Sequence, residues 1–482
     1  MRKSIKENYI YNLMYQLMAI LIPLVTTPYI SRILGATAIG DYSYTSGIVS
    51  YFGLVAATGT VNFAQKKIAV YESDIEKRSI LFWEILLFRL LCGVLVLAGY
   101  SIFVFNYMPQ YRLLYIIQYF TVFSWIADIS WYFQGTENFK ITSVRNTIVK
   151  LGGTVLIFLF VKEKSDLWLY TLITSAMLLL GNLTMWHYAR REIIWPGISQ
   201  IHILKNTGMI MELFIPVISI QLYTVLDKTM LGTLCNTTEV GYYAQAEKIV
   251  KLALTVLNAL SAVLLPRIAV LYANKDIEKI REYYRKTLNF IFMLALPMLV
   301  GCVLVADEFV PVFFGNGYDE VINLLKLESS LFIILSLGQV FGNFLIPMNK
   351  QRDFTIAVTV AAVVNIVFNY IFIRTMGLGA MGAVMASVIA ECVSSGIQFF
   401  AIREVLKGKD ILQAISRYII PTCIMALVII INHMFFDSLI FLILSIISGG
   451  FIYGICLVIA KNEIIYEVIN KMLQKIKSGS LK

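Results

Sequence analysis

Apolar positions in this chain come in long blocks, most of them close to twenty residues. Short stretches that collect Lys, Arg, Asp, Glu and Gly separate them. A helical block of about 20 apolar residues is long enough to cross the hydrocarbon core of a bilayer. The pattern predicts fourteen spans, centred on residues 10–33, 40–65, 81–106, 112–134, 141–161, 167–189, 208–233, 241–266, 287–306, 321–347, 354–374, 380–402, 415–435 and 438–460. The second and eighth are the least apolar, being rich in Gly, Ser, Thr, Asn and Tyr. Helices of that composition are expected to face protein or water rather than lipid.

Composition points the same way. Hydrophobic residues make up 59% of the 482 and charged residues 15%, with a mean hydropathy of +0.76. Soluble domains run at about 45–50% apolar and about 25% charged. The chain is therefore no ordinary soluble enzyme, disordered segment or coiled coil. The expected fold class is an all-α polytopic membrane protein with about 14 transmembrane helices. Six cysteines lie far apart and His187, His202 and His433 form no ligand set, so no metal site is expected. No small-residue cleavage site follows the first apolar run, which is read as the first span.

The net charge of +10 reads as cytoplasmic connections rather than nucleic-acid binding. Thirty of the 40 Lys and Arg fall on one side of the fourteen-span arrangement, among them Lys66, Lys67, Lys140, Arg145, Lys150 and the run from Arg267 to Lys286. Five (Arg32, Arg112, Lys162, Lys164 and Arg374) fall on the other side, and five within spans. This alternation predicts cytoplasmic N- and C-termini. The outer connections are short, the longest being roughly 307–320, which leaves no room for an outer catalytic domain.

The chain also repeats itself. LGATAIGDYS (34–43) matches LGTLCNTTEVGYYA (231–244), and IAVYESDIEKR (68–78) matches IAVLYANKDIEKIR (268–281). Gly40 to Ile75 is 35 residues and Gly241 to Ile277 is 36. A weaker pair sets FQGTENFKIT (133–142) beside PMNKQRDFTI (347–356). The offset of about 200 residues carries the first span onto the seventh. Six spans per copy is an even number, so the copies share one orientation, as in parallel-repeat transporters. The expected organisation is a six-helix bundle over 1–206, a second over 207–410, and two further helices with a basic cytoplasmic tail over 411–482. The two bundles are expected to face a central cavity.

YISRILGATAIGDYSYTSGIVSYFGLVAATG (29–59), WYFQGTENF (131–139), FFGNGYDEV (313–321) and the stretch from Asp227 to Gly241-Tyr-Tyr resemble the bacterial polysaccharide-export flippases of the Wzx type. Their superfamily also holds the multidrug and toxin extrusion (MATE) transporters and the lipid II flippases. The resemblance runs from near residue 5 to about 460. It implies an undecaprenyl-diphosphate-linked oligosaccharide as substrate, moved to the outer leaflet of the bacterial inner membrane for O-antigen, capsule or exopolysaccharide synthesis. It further implies a functional monomer beside a polysaccharide polymerase and glycosyltransferases. Composition and spacing alone reach only a parallel-repeat transporter.

Ionisable groups inside spans cost about 2.5 kcal/mol or more and need a reason. Lys248 and Lys251 lie seven and ten residues past Gly241, about 10–15 Å into span eight. Ala244, Lys248, Lys251, Thr255 and Asn258 make one polar stripe, and Glu247 precedes Lys251 in the favourable order for a helical ion pair. A basic lining would attract a diphosphate; an inter-helix staple is the structural alternative. Arg89, with Glu84 below it, reads as substrate contact or salt bridge. Asp227 and Lys228 read as an inter-helix pair, gate or ion site, and Arg32 as a gate residue or a snorkelling one. Asp128 and Glu391 are candidates for coupling to a Na+ or H+ gradient, or are hydrogen-bonded to neighbouring helices. Asn8, Asn12, Tyr15 and Gln16 form a polar face of span one suited to sugar, with Tyr42, Tyr44, Tyr51, Tyr242 and Tyr243 as further candidates. Lys326 and Glu328 read as a solvated rim. Pro23, Pro28, Pro297 and Pro347 are expected to kink their helices.

There is no phosphate-cradling GxxxxGK[ST] loop, no HExxH and no acid–base pair on an outer loop. Neither catalysis nor a bound cofactor is expected. The leading reading is a lipid-linked oligosaccharide flippase working by alternating access. The alternatives are a MATE-like ion-coupled antiporter of small organic molecules and a lipid II flippase. A membrane polymerase or glycosyltransferase would need the outer loop that is missing, and a scaffold would not need buried charge.

Overall fold

The computed structural model describes residues 5–57, 59–71, 73–107, 109–257 and 261–466, with no strand among them. The chain forms two compact units, Met1–Ala244 and Gln245–Lys482. The first holds α1 (Ile5–Ala57), α2 (Thr60–Val70), α3 (Ile75–Asn106), α4 (Arg112–Ile117), α5 (Tyr119–Ala127), α6 (Ser130–Gly135), α7 (Phe139–Phe160), α8 (Leu167–Ala189), α9 (Thr207–Leu234) and the first turns of α10 (Thr237–Leu257). The second continues with α11 (Ser261–Ala273), α12 (Ile277–Phe314), α13 (Asp319–Glu328), α14 (Leu331–Leu345), α15 (Gln351–Asn369), α16 (Gly379–Ile402), α17 (Gly408–Phe435) and α18 (Ser438–Ile459).

Among the described residues, eleven helical segments are long and apolar enough to cross a membrane. The chain is an all-α polytopic membrane protein, but length and composition do not reach the expected count of fourteen. One difference is that the first segment is continuous over two expected spans. α1 is two helices joined at Gly35, whose φ of 76° and ψ of 171° place it in a region that essentially only glycine occupies. The others are 208–233 and 241–266, which are helical in α9, α10 and α11 but are not among the eleven.

The repeat reappears as local geometry. Asp74 caps α3 by accepting from Lys77 N–H at 3.0 Å and pairs with its ammonium at 2.9 Å. Asp276 caps α12 in the same way, with Lys279 N–H at 3.2 Å and its ammonium at 2.7 Å. Lys77 N–H, and then its ammonium, hold the Asp74 carboxyl below its ordinary range. The Lys279 side chain and N–H do so for Asp276. Two of the resemblance motifs turn out to be packing. Trp131, Tyr132 and Phe133 are fully buried, with Phe82 tilted 5.3 Å from Trp131 and edge-on to Tyr132 at 5.5 Å. Such ring pairs contribute about 0.5–1.5 kcal/mol beyond their burial. Phe314, Tyr318 and Val321 of FFGNGYDEV are likewise buried.

Candidate functional site

Within the first unit, the turn after Gly35 crosses the start of α10 at matching positions of the two repeat copies. A Cβ on Gly40 would fall on the Thr237 carbonyl, and one on Gly241 would fall on the Ala36 carbonyl, so the backbones touch and only glycine fits. Beside them the hydroxyls of Thr37 and Thr238 are hydrogen-bonded at 2.9 Å. Farther along α1, the hydroxyls of Tyr44 and Thr233 lie 3.1 Å apart, and those of Tyr51 and Thr229 lie 2.8 Å apart. Asp41 accepts from Thr237 and Tyr111 at the same crossing. Asp41 is absent from the residues picked by sequence, although it directly follows the repeat glycine. Asp227 is buried and accepts from Tyr243 at 2.7 Å, while Lys228 beside it is half-buried. Arg32 is exposed, three residues before Gly35.

On α10, Glu247 and Lys251 form the expected ion pair at 2.6 Å. The Lys251 side chain is 55% exposed and that of Glu247 only 11%. Thr255 is exposed and donates to the Lys251 carbonyl. Lys248 is half-buried, and the opposite flank (Ala246, Val250, Leu254) is buried. Lys248, Lys251 and Thr255 therefore face away from the packed side, whereas Ala244 of the same stripe is buried. Asn258 lies outside the described residues.

The fourth span is broken. α5 ends at Ala127, and Asp128 adopts an extended backbone before α6 begins. A broken helix leaves carbonyls without partners, and three neighbouring side chains satisfy them. Arg89 Nη2 donates to Trp125 O at 2.6 Å, Asn182 Nδ2 to Ser124 O at 2.8 Å, and Trp186 Nε1 to Ala127 O at 2.8 Å. The Asp128 carboxylate accepts from the Ser130 N–H at 2.9 Å and its hydroxyl at 3.1 Å, starting α6. Arg89 is 1% exposed and, like Arg145 of α7, feels the Asp128 charge. Arg89 thus acts as a helix C-cap. Glu84 does not pair with it, because residues five apart lie on different faces of a helix. Its carboxylate accepts instead from His202 N at 3.2 Å and Asn206 Nδ2 at 2.9 Å.

Lys150 and Arg145 sit inside α7 rather than in the connection before it. Lys150 is eleven residues past Phe139, about 16 Å along the axis. Its ammonium lies 5.0 Å over the Tyr15 ring of α1. Gln16 next to Tyr15 is exposed, and the Asn8 and Asn12 side chains lie outside the described residues. In the second unit, Glu391 is half-buried one turn after Ser387, to which buried Asn365 donates at 3.5 Å. Lys326 pairs with Asp307 at 2.7 Å, while Glu328 is buried rather than on a rim.

Comparison with known proteins adds an outside view of the chain. The family described as "Polysaccharide biosynthesis protein" matches residues 5–272, and the MatE family matches residues 213–371. An Escherichia coli (strain K12) chain named as an O-antigen transporter is 24% identical over 407 residues, covering 83% of this chain and 97% of its own length. Among solved structures, the inward closed conformation of lipid II flippase MurJ superposes with a TM-score of 0.74 at 16% identity, covering 95% of this chain and 99% of that one. An inward-facing multidrug resistance MATE transporter of the MOP superfamily gives 0.66 at 17% identity, covering 82% and 97%. At these identities the two structures speak for the fold alone.

Proposed function

The chain belongs to the polysaccharide biosynthesis protein family, and from that membership we propose that it is a flippase for polyprenyl-diphosphate-linked oligosaccharides. It moves repeat units from the cytoplasmic to the outer leaflet of the bacterial inner membrane, with both termini in the cytoplasm. It works as a monomer beside the glycosyltransferases that build the unit and the polymerase that consumes it.

The observation that carries this reading is cationic charge set deep in helices. Lys251 is largely exposed on α10, and Lys150 is about 16 Å into α7. An ammonium facing acyl chains is costly, which supports reading the exposed Lys251 as turned toward water or an anion. Lys248 and Lys251 supply point charges and donors for the two phosphates, and within the first unit Lys150 adds a cationic position beside Gln16 and the tyrosines of α1, which suit sugar hydroxyls. Arg89, enclosed as a cap, takes no part in binding. The Gly40–Gly241 crossing is the outer gate of an alternating-access cycle, with Asp227, Lys228 and Arg32 near it. Glu391 is the carboxylate assigned to ion coupling. A cation exporter would instead present a net negative cluster there, whereas on α10 Glu247 is held by Lys251 with Lys248 beside it.

Purified full-length protein in vesicles, supplied with a polyprenyl-diphosphate-linked oligosaccharide on one leaflet, tests the reading. Transfer to the other leaflet is expected, reduced at least tenfold in Lys150→Ala and in Lys248→Ala/Lys251→Ala. Transport of an organic cation with no lipid-linked sugar transfer would overturn it.

A further inference from the structure

In the second unit, α12, α17 and the segment after α18 enclose a cavity of about 310 Å³ whose lining is strongly charged and formally neutral. Three cationic side chains face it, Arg285, Lys286 and Arg417, against three carboxylates, Glu282, Asp410 and Glu463. Four of the six are already matched. Arg285 Nε bonds Asp410 Oδ1 at 3.0 Å, and Lys286 pairs with Glu282 at 2.6 Å. Asp410 is 6% exposed, and its second oxygen has no hydrogen-bond partner among the described residues.

Arg417 and Glu463 remain. Both line the cavity and both are exposed. The turn that carries Glu463 is anchored by Asn462, which accepts from Ile464 N–H and donates to the Tyr418 hydroxyl at 3.0 Å. One cavity thus offers a guanidinium for an anion and separate carboxylates for a cation. A ligand that fits carries both charges a few atoms apart. On the same helix as Arg417, Leu412 is 70% exposed and Ile420 68% exposed, a surface for acyl chains rather than for water. The volume lies at the small end of ligand sites, enough for a headgroup but not for an oligosaccharide.

We propose that this cavity binds the headgroup of a zwitterionic phospholipid, a phosphate ester bearing a protonated primary amine, from the leaflet beside α17. Its phosphate lies on Arg417 and Lys286, and its ammonium on Glu463, with the buried, unmatched Asp410 oxygen adding negative charge behind it. None of the residues that line it is among those assigned to cargo binding, so the proposal stands or falls independently of the cargo.

Binding of dihexanoyl-phosphatidylethanolamine to the detergent-purified full-length protein, measured by native mass spectrometry and by competition with a fluorescent analogue, tests it. Dihexanoyl-phosphatidylglycerol and inorganic phosphate serve as the other arms. Phosphatidylethanolamine is expected to bind at least tenfold more tightly than either. Arg417→Gln should weaken both lipids at least tenfold. Glu463→Gln should lower phosphatidylethanolamine to the level of phosphatidylglycerol without changing the latter. Both side chains are exposed, and an unchanged unfolding midpoint serves as the folding control. Equal binding of the two lipids, phosphate binding as tight as the amine lipid, or unchanged affinity in folded Glu463→Gln would each overturn the proposal.

Discussion

Thr37 and Thr238 hold the same position in the two copies of the repeat, and their hydroxyls are hydrogen-bonded at 2.9 Å. When matching residues of two copies touch each other, the two turns are related locally by a two-fold axis running through the contact. If the contact is a gate, locking it must stop the cycle. Thr37→Cys/Thr238→Cys is expected to form a disulfide on mild oxidation, since the replaced oxygens already lie within bonding reach of one another. A Cys235→Ser background removes the exposed native thiol nearby. Oxidised protein should lose more than tenfold of its lipid-linked oligosaccharide transfer, and reduction should restore it. Full activity of the oxidised form would show that this contact never opens.

The glycines beside those threonines make a sterically sharper case. Gly40→Ala places a methyl on the Thr237 carbonyl, and no side chain there has room to yield. Gly47, two turns along the same helix, provides the control. A Cβ there would meet Thr229 and Val225 at 3.4 and 3.5 Å, ordinary contact distances. Gly40→Ala and Gly241→Ala should insert normally yet lower surface-polysaccharide export about tenfold or more, while Gly47→Ala stays near wild type. Export assays paired with quantification of membrane-inserted protein separate the two.

What was legible in the sequence is what is local. The apolar blocks become helices, and Glu247 finds Lys251 one turn on, because each depends only on residues a few positions apart. Contacts between helices were not legible. Hydropathy ranks Arg89, Glu84 and Asp128 as anomalies but carries no information on which helix faces them. The Trp125 carbonyl that holds Arg89 is a backbone atom and leaves no mark in composition. Lys150 reads as part of a connection because a basic helix end and a loop look alike in a hydropathy window. The Tyr15 ring beneath it comes from a different helix.

The broken fourth span depends on charge balance. Arg89 is buried, Arg145 and Asp128 are half-buried, and both guanidiniums feel the Asp128 charge. Asp128→Asn keeps an acceptor for the Ser130 N–H but removes a negative charge that both guanidiniums feel. Breaking a buried charge arrangement from one side is destabilising. A loss of about 2 kcal/mol is expected, in line with the cost of unmatched buried polar groups, seen as a fall of a few degrees in the unfolding midpoint in detergent. Adding Arg89→Met should recover part of it, a coupling that a double-mutant cycle measures. Strict additivity would show that Asp128 and Arg89 act separately.

Glu84 governs a different part of the unit, the connector from Arg190 to Asn206. α3 straps this segment down at three successive side chains. Ser79 Oγ accepts from Ile194 N–H at 3.1 Å, Trp83 Nε1 donates to Ile194 O at 3.2 Å, and Glu84 receives His202 N–H and Asn206 Nδ2. The carboxylate is 4% exposed, so removing it leaves the buried Asn206 amide unmatched at about 1–3 kcal/mol and releases the exposed His202. The connector carries trypsin sites at Arg190, Arg191 and Lys205. Local opening sets the rate of cleavage when reclosing is fast. Glu84→Ala is therefore expected to speed cutting in the connector at least tenfold while the helical segments stay intact. Glu84→Gln, which keeps an acceptor oxygen for one of the two donors, should fall in between. Cleavage at the wild-type rate in Glu84→Ala would mean that the Ser79 and Trp83 contacts hold the connector by themselves.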